Sequence, residues 1–144
     1  MRRACEGLRL KVILETGELR DDALISSAAA VALDCGADLL KTSTGKTPVG
    51  ATLPAAQRML QAIAAHAQAR DRAGLKISGG IRRVADVLPY LTLYARVLGA
   101  ESLQPQRLGE TWLAPRFRIG ARSLLDDIEA VLGGTAAPPA AGTY

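Results

Sequence analysis

The side chains with the clearest chemical purpose in this sequence are its lysines. Of 18 lysines and arginines only Lys11, Lys41, Lys46 and Lys76 are lysine, so arginine supplies most of the surface charge. All four lie in or beside short apolar runs that read as strands, where a solvated charge is out of place. Lysine differs from arginine in that it can lose its proton and act as a nucleophile. Burial and a neighbouring ammonium both favour the neutral amine. If Lys41 and Lys76 meet in a low-dielectric interior, one amine can add to an aldehyde or ketone. The iminium so formed acidifies the adjacent carbon, and C–C bonds can then form or break, as in a class I aldolase. The plainer reading is that strand ends carry lysines whose stems simply cover apolar surface.

Three glycine-bearing segments accompany these lysines. In Lys41-Thr42-Ser43-Thr44-Gly45-Lys46 a lysine at a strand end runs into a polar loop whose N–H groups and Lys46 ammonium suit a phosphate. It is not a Walker A loop, because the upstream glycine is missing. Lys76-Ile77-Ser78-Gly79-Gly80 repeats the arrangement, and strand alternation puts Lys76 and Ser78 on one face, Leu75 and Ile77 on the other. Gly120-Ala121-Arg122-Ser123 opens a helix with a guanidinium beside it, an anion site in outline. Taken singly, each glycine pair is an ordinary turn.

These segments need elements to hold them, and the apolar periodicity supplies them. Strands are expected at 8–16, 38–43, 75–78 and 116–119, and helices at 21–35, 52–72, 84–98 and 123–132. Thr52 suits a helix N-cap, Gly36 a C-cap, and Pro89 should bend or break its helix. Residues 103–115, with Trp112, read as irregular, and His66 falls mid-helix. Strand and helix alternate four times, so the class is α/β with a parallel sheet and right-handed crossovers. A small doubly wound sheet and half of a (β/α)8 barrel both fit, since a full barrel needs roughly 250 residues. Glu15, Lys41, Lys76 and Gly120 all fall at or near C-terminal strand ends, where barrel enzymes carry their chemistry.

Composition excludes several alternatives. The 144 residues are 49% apolar and 22% charged, an ordinary globular balance. No apolar run reaches the roughly 18 residues of a membrane span, and Ala4-Cys5-Glu6-Gly7 stands where a signal core would be. A cytoplasmic protein is expected. The net charge of +4 invites nucleic acid, but aromatics are only 3% and the arginines are scattered, so no nucleic-acid partner is expected. Cys5, Cys35 and His66 give no disulfide framework and no metal site, and Cys35 reads as a small packing residue.

From Leu8 to the C-terminus the sequence resembles deoxyribose-phosphate aldolases. The matching stretches are Leu10 to Leu19 (LKVILETGEL), Lys41 to Lys46 (KTSTGK), Lys76 to Arg82 (KISGGIR) and Gly120 to Leu125 (GARSLL). The resemblance implies a reversible cleavage of 2-deoxyribose 5-phosphate to glyceraldehyde 3-phosphate and acetaldehyde, with no cofactor. It implies that Lys41 forms the Schiff base and that Lys76 is the second lysine that lowers its pKa. Gly45, Lys46, Gly79, Gly80, Arg82, Gly120 and Ser123 would hold the substrate phosphate. The family often ends in a tyrosine that visits the active site, and Tyr144 stands at the end here.

The family is a complete barrel, whereas this chain corresponds to strands five to eight, without the aspartate of strand four. Ile77-Ser78-Gly79-Gly80 replaces the usual Pro-Ala-Gly-Gly, and Arg122-Ser123 the usual Ser-Ser. The expected organisation is a half-barrel over 1–134 and a flexible tail over 135–144, closed as a homodimer or higher oligomer. The alternative function is a weakly active or inactive half-barrel, the product of a truncated gene, that keeps a phosphosugar site.

Overall fold

The computed structural model describes residues 2–103, 106–108, 111–113 and 116–134. Its elements in order are β1 (Lys11–Ile13), α1 (Thr16–Leu19), α2 (Asp22–Asp34), β2 (Leu39–Lys41), α3 (Leu53–Ala65), β3 (Gly74–Ser78), α4 (Val84–Leu98), β4 (Gln106–Leu108), β5 (Thr111–Leu113), β6 (Phe117–Gly120) and α5 (Leu124–Leu132). Short 3-10 turns occupy Arg2–Cys5 and Ala100–Leu103. The main sheet runs β1-β2-β3-β6 with every pairing parallel. Strands in sequence order, joined by crossovers of one hand, place their helices on one side. That arrangement is half a barrel and not a doubly wound sheet.

Burial follows from the strand period. Leu40, Leu75 and Ile77 are fully buried in one cluster with Ile25 and Leu33 of α2, Met59, Leu60 and Ile63 of α3, and Val87, Tyr90 and Tyr94 of α4. Each buried leucine or isoleucine is worth about 1.5–3 kcal/mol, so the helix side carries most of the fold's stability. The opposite face presents Lys11, Ile13, Lys41, Lys76 and Arg118 at paired register positions. Ile13 is 40% exposed there. Both outer strands, β1 and β6, leave an edge of the sheet unpaired among the described residues.

Several local expectations are corrected. The strand expected over 8–16 shortens to three residues, because Glu15 turns left-handed (φ 51°, ψ 59°) and α1 begins. The helix expected to reach 72 stops at Ala65. His66 caps it in an extended conformation, its Nδ1 accepting from the Ala69 N–H and its Nε2 lying 3.1 Å from Asp34 Oδ1. Helix α4 runs unbroken through Pro89. Its buried face and the Tyr90 hydroxyl, which donates to the Ala51 carbonyl at 3.0 Å, outweigh the bond that proline forfeits. Residues expected to be irregular contain the antiparallel pair β4 and β5. Cys35 is exposed, since it sits at the C-cap on the outward side of α2. The tail 135–144, with Tyr144, lies outside the described residues.

Candidate active site

Parallel pairing aligns Lys41 with Lys76, and Lys76 in turn with Arg118, so one row of the open face carries three adjacent cations. Ile13 extends that row on β1. One step toward the C-terminal rim, Ser78 faces Gly120. A side chain at 120 would have no room: its Cβ would lie 2.7 Å from Ser78 Cβ and 2.9 Å from Lys76 Cε. Glycine there lets the Lys76 stem pass against β6. The alternation read from the sequence, with Lys76 and Ser78 opposite Leu75 and Ile77, therefore sets the floor of the site.

Above this floor lies a cavity of about 470 Å³ formed by three strand-to-helix junctions. Lys41 ends β2 and is followed by Thr44 and Gly45; Ser78 ends β3 and is followed by Gly79, Gly80, Ile81 and Arg82; Gly120 ends β6 and is followed by Ala121, Arg122 and Ser123. Among the described residues, the lining contains three cationic side chains and no carboxylate. Ser123 is the N-cap of α5, and its side chain makes no capping bond to the helix. Positive charge, glycine-exposed backbone and a helix N-terminus together suit a phosphate.

The junctions brace one another. The Thr42 hydroxyl donates to the Ser78 carbonyl at 3.1 Å and accepts from the Ser78 N–H at 3.0 Å, while the Ser78 hydroxyl donates to the Ser43 carbonyl. Gly50 and Gly79 cross so closely that a Cβ on Gly50 would meet Gly79 backbone at 2.5 Å, and the Ala51 N–H donates to the Gly79 carbonyl. Gly79 holds φ +90°, a left-handed conformation natural only to glycine.

Burial is the first cause that lowers the Lys76 pKa from its ordinary value, followed by the like charges of Lys11, Lys41 and Arg118. Glu15 is held below the ordinary carboxylate value by the Thr44 hydroxyl, then by the Thr44 N–H, with Thr47 and the Lys41 charge adding to them against desolvation. Asp38 resides at the other end of the sheet, preceding β2. Burial would raise its pKa, but the Leu10 N–H and the Arg2 and Arg72 guanidiniums bring it below the ordinary value.

The structure thus gathers Lys41, Gly45, Gly79, Gly80, Arg82, Gly120 and Ser123 around one cavity, with Lys76 beside it. Lys46 is not among the lining residues; it is exposed, and its backbone N–H donates to the Thr44 hydroxyl at 3.2 Å. Sequence reasoning gave Arg122 no place among the phosphate-binding residues, although it named the guanidinium beside Gly120. Lys11 was named only as a strand lysine and Arg118 was passed over; the register that sets both on the open face with Lys41 and Lys76 comes from the strand pairing.

Residues 1–95 match the DeoC/LacD family of aldolases. A deoxyribose-phosphate aldolase from Agrobacterium fabrum (strain C58 / ATCC 33970) is 46% identical over 146 residues, covering 100% of this chain and 51% of that relative. The chain belongs to the DeoC/LacD aldolase family. It spans about half the length of the curated relative it matches. Among solved structures, the apo form of a candidate deoxyribose-phosphate aldolase from Toxoplasma gondii ME49 superimposes with a TM-score of 0.76 at 27% identity, over 92% of this chain and 49% of that one. A candidate deoxyribose-phosphate aldolase from Coccidioides immitis gives a TM-score of 0.67 at 28% identity, over 91% and 42%. The half-barrel of four parallel βα units expected from the sequence agrees with this aldolase-family likeness.

Proposed function

We propose that this chain carries the amine and phosphate sites of a deoxyribose-phosphate aldolase. The observation that carries the reading is the Lys41–Lys76 register pair, opening onto a cationic cavity without a carboxylate. In this reading the Lys41 amine adds to C1 of 2-deoxyribose 5-phosphate and water leaves, giving an iminium. Loss of the C3 hydroxyl proton lets the C2–C3 bond break, releasing glyceraldehyde 3-phosphate and leaving an enamine. Protonation at C2 and hydrolysis then yield acetaldehyde and free Lys41.

Lys76, whose ammonium is disfavoured by burial and neighbouring cations, stands at the register position beside Lys41 and gives up its proton more readily than a free lysine. The phosphate sits against the Gly79–Gly80 and Gly120 backbone, Arg82, Arg122 and Ser123. A second copy joined edge to edge, β1 of one to β6 of the other, supplies the further four strands of an eight-stranded barrel. Bound phosphate offsets the repulsion between the cationic rows that this closure brings face to face. Sedimentation equilibrium is expected to show a dimer or larger species, and a folded monomer at micromolar concentration removes this assembly.

Borohydride reduction in the presence of acetaldehyde tests the chemistry. A stable adduct at Lys41 is expected. Phosphosugar binding without any adduct would reduce the chain to a binding module.

A further inference from the structure

We infer that Glu15 is a positioning residue whose carboxylate fixes the loop after Lys41, and with it the Gly45 side of the phosphate cavity. The inference rests on the aldolase reading for the identity of the ligand, and on geometry for the rest. Glu15 Oε2 accepts from the Thr44 hydroxyl at 2.6 Å and from the Thr44 N–H at 3.0 Å. Its Oε1 accepts from the Thr47 hydroxyl at 3.1 Å. Thr44 lines the cavity and Gly45 follows it, so one carboxylate anchors both ends of the segment that forms this wall.

The backbone at Glu15 is held in the left-handed region, a conformation that costs a non-glycine residue about 1–2 kcal/mol. Bonds on either side impose it: the Leu14 N–H donates to the Lys41 carbonyl and the Thr16 N–H to the Thr42 carbonyl. That conformation sends the side chain across the rim to a loop 29 residues away in sequence. A glycine would adopt the same backbone freely. The glutamate is therefore placed for its carboxylate. Its oxygens are engaged by the loop and it does not line the cavity, so its contribution to the site is to hold that loop.

The test uses the full chain and inorganic phosphate as the probe, by isothermal titration, with thermal midpoints measured alongside. Glu15→Gly relieves the backbone but removes the clamp. It is expected to keep or raise the midpoint while weakening phosphate binding about tenfold, the scale of one lost charge-assisted bond. Thr47 does not line the cavity, so Thr47→Val is expected to weaken phosphate binding in the same direction and Thr47→Ser to restore it. Equal phosphate affinity in wild type and Glu15→Gly overturns the inference, as does a wild type that binds no phosphate.

Acetaldehyde trapping separates this result from the aldolase reading. No adduct at Lys41, with phosphate affinity still dependent on Glu15, removes the aldolase and keeps the clamp. An adduct at Lys41 with phosphate affinity indifferent to Glu15 does the reverse.

Discussion

The two ends of the β-sheet are built on opposite principles. At the N-terminal end, cations are matched. Asp38 takes Arg2 at 2.7 Å and Arg72 at 3.2 Å, and the Arg116 guanidinium donates to the carbonyls of Ala73 and Arg70. At the C-terminal end, Lys41, Arg82 and Arg122 surround a cavity, and none of them forms an ion pair with a carboxylate among the described residues. The one carboxylate at that rim that engages the loop after β2, Glu15, is turned to hydroxyls and a backbone N–H. The lower end spends its charges on holding the chain together, whereas at the upper end the Arg83–Asp86 pair lies outside the cavity and the cations lining it are left for a ligand. The division is the one expected of a barrel, with stability at the bottom face and chemistry at the top.

The largest expected effect belongs to the upper rim. Lys41→Arg keeps the charge and most of the stem but removes the nucleophile. Turnover should fall by at least about a thousandfold, with the unfolding midpoint little changed, as measured by deoxyribose-phosphate cleavage and thermal denaturation. Loss of fold in that variant would blur the contrast between the two ends.

Gly120→Ala comes next. The added methyl must displace Lys76 or Ser78, and a misplacement near 1 Å at reacting groups costs about a hundredfold in rate. A variant as fast as wild type would mean that the Lys76 stem does not need its path beside β6. At the lower end, Asp38→Ala should cost about 2 kcal/mol in denaturant unfolding, because it strands Arg2, Arg72 and the Leu10 N–H. It should leave any Lys41 adduct untouched. An adduct lost together with stability would join the two ends that the structure separates.

The smallest effect is a pH signature at Lys76. Its folded pKa is below the unfolded value of 10.5, so between the two the unfolded chain binds more protons. The destabilisation is therefore full below the folded pKa and is relieved as pH rises toward 10.5. Lys76→Met should raise stability slightly at neutral pH, with the gain fading at alkaline pH. A gain that grew with pH would give the shift the wrong sign.

What the sequence made legible was what depends on period. Alternation alone separated Lys76 and Ser78 from Leu75 and Ile77, and Thr52 marked the start of α3, while the C-cap of α2 falls on Cys35 with Gly36 (φ 82°) just after it. The scarcity of lysine drew attention to Lys41 and Lys76, which prove to be register partners. Features that depend on reach across the fold were not legible. Glu15 finds Thr44 only because its backbone turns left-handed after three strand residues, and no local pattern announces that. Lys46 shares the hexapeptide with Lys41, yet it is exposed and does not line the cavity. His66 ends α3 through a contact to Asp34 on another helix, and Pro89 is tolerated because α4 is pinned along its buried face.

The central claim is that Lys41, and not its register partner Lys76, is the amine that bonds to carbon. Reduction with borohydride in the presence of acetaldehyde, followed by peptide mass mapping of wild type, Lys41→Arg and Lys76→Met, decides between them. The account predicts a two-carbon adduct on the peptide bearing Lys41, lost entirely in Lys41→Arg. An adduct mapped to Lys76, or one that survives Lys41→Arg, would contradict it.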